Sequence, residues 1–266
     1  MDTIKRYLLC TSLFFAALSL AASSPAQSPF DGTWLIKPAQ SKPTSIPLTF
    51  YTSQGWLHCV SCTPPNDVAA DGADHAVTGQ VFDTTNVTLV DANTIKVVNK
   101  KDGRIIEELS GAVSKDGKTL TIKRADYAQN GQVTNSVETW KRIGDLPSAG
   151  VHATSGKWQM LKVTGGEKFT TVTYRTNGDE ITMTAPDGEN YTAKFDGKDY
   201  PFKGDYQANT VSLKRIDAHT LEETYKRDGT VAYISKMTIS PDGKSMTTVF
   251  RGPKGETGAT FAATKK

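Results

Sequence analysis

The chain has 266 residues, with 31 Lys and Arg against 28 Asp and Glu and a formal net charge of +3. Both signs are interspersed with no run of five or more of one sign, which argues against a nucleic-acid-binding stripe or a polybasic membrane patch. Once an export signal is set aside, about 240 residues remain, enough for one large core or two modest ones.

Residues 1–26 read as that signal. Lys5 and Arg6 precede an apolar run from Tyr7 to Ala22, and Ser24-Pro25-Ala26 before Gln27 is a small-x-small cleavage site, with cleavage after Ala21 nearly as good. The run is short for a bilayer span and meets Ser and Pro at once, so the expectation is an exported protein, periplasmic or extracellular, with no membrane span after cleavage; an uncleaved anchor is the alternative. Cys10 lacks the small residues that precede a lipidated cysteine. Removal of this segment takes away Asp2, Lys5 and Arg6 and leaves 29 basic and 27 acidic side chains and two cysteines.

The rest is written twice. Gly32-Thr33-Trp34 answers to Gly156-Lys157-Trp158 at a spacing of 124, and Asp71-Gly72-Ala73-Asp74 to Asp196-Gly197-Lys198-Asp199 at 125. Val87-Thr88-Leu89 matches Val211-Ser212-Leu213. Asp102-Gly103 matches Asp228-Gly229, and Ser114-Lys115-Asp116-Gly117-Lys118 matches Ser240-Pro241-Asp242-Gly243-Lys244, both at 126. A drift this small over a whole unit marks a duplication. The expected map is a β domain over 27–143, a Gly/Pro-rich linker over 144–152 and a second β domain over 153–266.

Each unit reads as all-β. Asn-Gly and Asp-Gly pairs recur at hairpin spacing, supplying the positive φ that tight turns need. Between them, segments rich in Thr, Val, Ile, Tyr and Phe alternate with period two: Tyr191, Ala193 and Phe195 on one face, Met246, Thr248 and Phe250 on another. The second unit divides into strands near 157–163, 169–175, 179–185, 190–195, 200–203, 209–216, 219–226, 231–239, 244–251 and 256–263. Without the shortest of these, the count is about eight to nine antiparallel strands per unit. Short connections favour a meander, and a meander of that size removes its edges by closing into a barrel. Two tandem barrels are expected, with one larger sandwich or barrel shared by the copies as the alternative.

Gly32-Thr33-Trp34-Leu35 with Lys37-Pro38-Ala39-Gln40-Ser41-Lys42 resembles the opening of a family of exported bacterial lipocalin-like (calycin-type) proteins. The runs Lys194–Pro201, Asn209–Asp217 and Ser240–Lys244 are similar to later parts of the same family. The resemblance implies a lipocalin-like barrel and no particular activity. It also implies that the Trp of the first strand closes one barrel end beneath a basic residue of the last strand: Trp34 with Lys141 or Arg142, and Trp158 with Lys265 or Lys266.

Among candidate chemical groups, Cys59-Val60-Ser61-Cys62 is the most distinctive. In an oxidising compartment a local Cys59–Cys62 disulfide is the leading reading. Inert thiols, a redox pair, or a metal site recruiting His58 and His75 are the other readings. Catalytic motifs such as Gly-x-Ser-x-Gly and His-Glu-x-x-His and phosphate-binding loops are absent from the sequence, so no catalytic residue, cofactor or metal ligand is assigned. Glu107-Glu108 and Glu222-Glu223 alternate across strands and read as solvated or barrel-mouth charge. The aromatics of the second unit either fill a small core or line a pocket. The functional expectation is a non-catalytic exported barrel protein that binds a small apolar ligand or a cell-envelope component. The alternative is a partner-binding module, such as an inhibitor of an extracellular enzyme, presenting the Cys59–Cys62 turn.

Overall fold

The computed structural model describes residues 28–37, 42–165 and 171–266. The expected signal segment, 1–26, lies outside the described residues. Within them the chain is all-β, without helix, and forms two nearly closed antiparallel sheets of ten strands each.

The first barrel runs through β2 (Leu48–Ser53), β3 (Trp56–Cys59), β4 (Asn66–Ala69), β5 (Asp71–Ala76), β6 (Thr84–Asp91), β7 (Thr94–Lys101), β8 (Arg104–Val113), β9 (Thr119–Tyr127), β10 (Val133–Ile143) and β11 (Gly156–Gly165). The second contains β1 (Gly32–Ile36), then β12 (Thr171–Asn177), β13 (Glu180–Thr184), β14 (Asn190–Lys194), β15 (Tyr200–Pro201), β16 (Thr210–Arg215), β17 (Thr220–Arg227), β18 (Thr230–Ile239), β19 (Ser245–Arg251) and β20 (Thr257–Lys265). Both sheets exceed the expected eight to nine strands; in the second, the two-residue β15 counts because it pairs with β16 through Tyr200 and Val211. A backbone bridge from Asn190 to Lys203 ties β14 back toward it.

The hairpins follow the turn chemistry. Asp102-Gly103 and Asp228-Gly229 each place two successive residues at positive φ, 49° and 75° in one and 51° and 80° in the other. This is the backbone twist that two-residue hairpins require. Ser114 with Asp116 and Ser240 with Asp242 build one turn twice: the serine hydroxyl donates to the aspartate, which also accepts the amide of Lys118 or Lys244.

The copies trade their first strands. β1 pairs with β20 and β12, whereas β11 pairs with β10 and β2. The first barrel is therefore one continuous stretch from β2 to β11, and the second is β1 followed, after that whole barrel, by β12–β20. Residues 144–152, expected to link the copies, instead lie in the connection between two neighbouring strands of the first barrel. There His152 bonds the Thr154 hydroxyl and the Asp91 carbonyl. The chain crosses between barrels at the connections β1–β2 and β11–β12. Either first strand carries the same Gly-x-Trp signal, so the pattern alone does not say which barrel takes which.

Each end strand buries its tryptophan completely, and each indole donates to the carbonyl four residues before it, Phe30 for Trp34 and Thr154 for Trp158. The basic residue that covers the ring follows the exchange: Lys265 lies over Trp34 and Arg142 over Trp158, at 5.0 and 4.0 Å. The expected pairings are thus interchanged. A Cβ at Gly32 would come within 2.9 Å of the Lys265 side chain, and one at Gly156 would overlap the Arg142 guanidinium. Glycine is what lets the base lie down on the indole.

The repeat register also shifts locally. Leu89 pairs with Ile95 and Arg215 with Leu221, so Val87 corresponds to Leu213 rather than Val211. A slip of two residues keeps the same face, which is why alternation did not expose it.

Candidate functional sites inside the two barrels

The first barrel contains a partly open cavity of about 220 Å³. Its wall is largely apolar, including Phe50, Leu57, Val68, Val87, Ile95 and Ile122. The Cys59–Cys62 pair is joined as a disulfide (Cα–Cα 5.4 Å), and both residues line the same cavity. The disulfide is thus part of the pocket wall.

Across one side of this apolar chamber runs a polar band. Thr85 donates to Asn99 at 2.7 Å, and Asn99 donates to Glu107 at 2.6 Å. Arg124 then bonds both Glu107 and Glu138, the latter at 2.8 Å, and Glu138 also accepts from the Trp140 indole at 3.0 Å. A charge inside a barrel is costly unless it is paired and hydrogen-bonded. Here one guanidinium serves two carboxylates.

The second barrel carries aromatic rings at the same places. Tyr225 pairs across strands with Tyr233 as Asn99 does with Glu107, Ser235 with Phe250 as Leu109 does with Arg124, and Thr248 with Phe261 as Ile122 does with Glu138. The band Asn99–Glu107–Arg124–Glu138 therefore becomes Tyr225–Tyr233–Phe250–Phe261. Neighbouring ring centroids in this ladder are 4.5, 6.1 and 5.5 Å apart, spacings at which aromatic pairs attract.

Beside the ladder sits Glu223, 2% exposed. Its carboxylate accepts from the hydroxyls of Tyr191, Tyr225 (3.1 Å) and Ser235 (2.5 Å). Burial raises its pKa despite these bonds, and burial with the nearby Glu223 charge pushes Tyr174, Tyr191 and Tyr225 well above the ordinary phenol range. Glu189, farther along the interior, is pushed up to about 8 by burial and by its neighbours Asp205 and Asp187. A second cavity of about 190 Å³ lies against these groups.

No protein-family model and no curated protein sequence matches the chain.

Of the adjacent glutamates, the outward Glu108 accepts from Tyr127 at 2.8 Å. Glu223 is not solvated or barrel-mouth charge but sits in a buried hydrogen-bonded network, contrary to the expectation; Glu107 is held by Asn99 and Arg124 and also borders an open cleft. The signal was available in part, since Glu223 and Tyr225 fall on one face of a strand. The partners Tyr191 and Ser235 come from other strands and only the fold assembles them. His58 and His75 are each held by a separate aspartate, Asp67 and Asp71, both at 2.8 Å. Among the described residues no group of three or more His, Cys, Asp or Glu side chains is gathered for a metal.

Proposed function

We propose that this is an exported lipocalin-like protein that holds a small apolar ligand in its first barrel. The observation that carries the reading is the cavity of about 220 Å³ with a largely apolar wall. Apolar cavities of about 150 Å³ stay dry and take up benzene, so this one suits a ligand of one substituted ring or a short branched chain. The polar band supplies a single oriented hydrogen-bonding side, the division of labour usual in ligand sites. Export is supported by the basic-then-apolar opening of the chain and by the local disulfide. The Gly-x-Trp strand with its covering base supports the lipocalin-like reading.

The test is titration of the processed protein with toluene and short alkanols, followed by chemical shifts of the lining methyl groups. Val97→Phe and Leu109→Phe, which fill the space, are expected to weaken binding roughly tenfold or more, about 1.4 kcal/mol. No shift with any apolar probe would end the reading. A partner-binding role is favoured by a different observation: Tyr51, Trp56 and Val60, on or beside the disulfide turn, are 43%, 48% and 53% exposed. Trp56→Ser together with Tyr51→Ser separates the two, since it leaves toluene binding intact while removing an apolar surface.

A further inference from the structure

The second barrel departs from the first in one electrostatic respect. In the first, Arg124 neutralises Glu107 and Glu138 from within the chain. The corresponding position in the second is Phe250, and the 190 Å³ cavity beside it is bounded by Glu223, Glu189 and Asp187, with no Lys, Arg or His in its lining among the described residues. Tyr225, Tyr233, Phe250 and Phe261 form its aromatic side, and Phe261 is itself 37% exposed. Aromatic faces attract cations through the ring quadrupole, most strongly when the cation is desolvated.

We propose that this second cavity binds a small organic cation, an alkylated or quaternary ammonium, held between the aromatic ladder and carboxylates that have no basic partner among the described residues. The cation takes the electrostatic place that Arg124 fills in the first barrel. Apolar substituents on nitrogen suit the walls contributed by Met183, Met246 and Val172, whereas a bare metal ion would find no hard oxygen cage there among the described residues. The site is separate from the proposed apolar site, and either can fail alone.

Charge linkage gives the site a signature. Glu189 is held largely protonated at neutral pH by burial and by Asp205 and Asp187. Glu223, Tyr174, Tyr225 and Tyr233 also border the cavity, and Glu107 and Asp126 of the first barrel join Glu189 and Asp205 around an adjoining cleft. A cation favours the ionised form of Glu189, so binding near pH 7 expels a proton.

The experiment is calorimetric titration of the processed full-length protein with choline and tetramethylammonium beside 3,3-dimethylbutan-1-ol, the uncharged carbon analogue of choline. Choline is expected to bind at least roughly tenfold tighter than the alcohol. Repeating the titration in buffers of different ionisation heat should show up to about one proton released, lost in Glu189→Gln. Phe250→Leu should weaken choline roughly tenfold while Tyr233→Phe, which keeps the ring, retains it; near-UV circular dichroism checks that each variant is folded. Val97→Phe in the first barrel should leave choline binding unchanged. Equal affinity for choline and the alcohol, no binding of either cation, undiminished choline binding in folded Phe250→Leu, or its loss in Val97→Phe would each overturn the proposal.

Discussion

At the scale of single residues, Arg142 shows how much one side chain can close. It is 7% exposed and donates to the carbonyls of Gly117 (2.5 Å), Ser155 (2.6 Å) and Ala153 (2.8 Å) while stacking on Trp158. Removing it orphans buried acceptors as well as the cation–π contact, so Arg142→Ala should cost about 2–4 kcal/mol by urea unfolding. Lys265→Ala, over Trp34 at 5.0 Å, should cost about 1 kcal/mol or less. Equal losses would mean the carbonyl bonds contribute little. Interior carboxylates act with the opposite sign. Glu189 titrates at about 8 when folded against an ordinary 4.5, so the folded state binds more protons than the unfolded one between those values. Its contribution is fully present below about pH 4.5 and is lost as pH rises through about 8. Thermal midpoints should therefore fall between pH 5 and pH 8.5, and Glu189→Gln should flatten that slope. A slope unchanged by the substitution would remove Glu189 as its source.

At the scale of elements, the strands were legible because alternation and turn chemistry agree. Ten segments read in the second copy correspond to β11–β20 within a few residues, including the two-residue Tyr200–Pro201 strand. The interiors were less legible. Arg124 and Phe250 occupy one structural position, but an Arg in an alternating strand looks like an outward residue until its two glutamate partners on flanking strands are seen. The Tyr225–Tyr233–Phe250–Phe261 ladder needs four strands in register before it exists. The disulfide was legible from its spacing, but its place in a cavity wall was not, because Ile95, Leu109 and Ile122 reach that wall from β7, β8 and β9, distant in sequence. Its loop is so short that the entropic model limits its stabilising effect to about 2 kcal/mol. Cys59→Ala with Cys62→Ala should accordingly lower stability by no more than about that amount while perturbing toluene binding in the first barrel. A large loss of stability with unchanged binding would reverse that assignment.

At the scale of the whole molecule, the exchange of first strands makes the unit of folding differ from the unit of duplication. Both barrels need a Gly-x-Trp strand beneath a basic residue, and β1 and β11 each offer one. They are not equivalent in length. β11 spans Gly156–Gly165 and is matched to β10 from Lys157 to Gly165, whereas β1 spans Gly32–Ile36 and is matched to β20 from Trp34 to Ile36, with Lys37 and Lys42 bonding on to Ala262 and Thr260. In the observed pairing β11 supplies cross-strand partners to Ser136–Thr139 of the long β10, each pair worth about 0.2–1 kcal/mol. A fragment spanning 42–165 contains every strand of the first barrel and should unfold cooperatively alone. A fragment cut at the sequence repeat, 27–143, can close only with β1 and should be less stable by about 2–4 kcal/mol on that pairwise scale. Equal urea midpoints for the two would show that the strands are interchangeable, and the exchange would then be set by the connections rather than by the length of pairing.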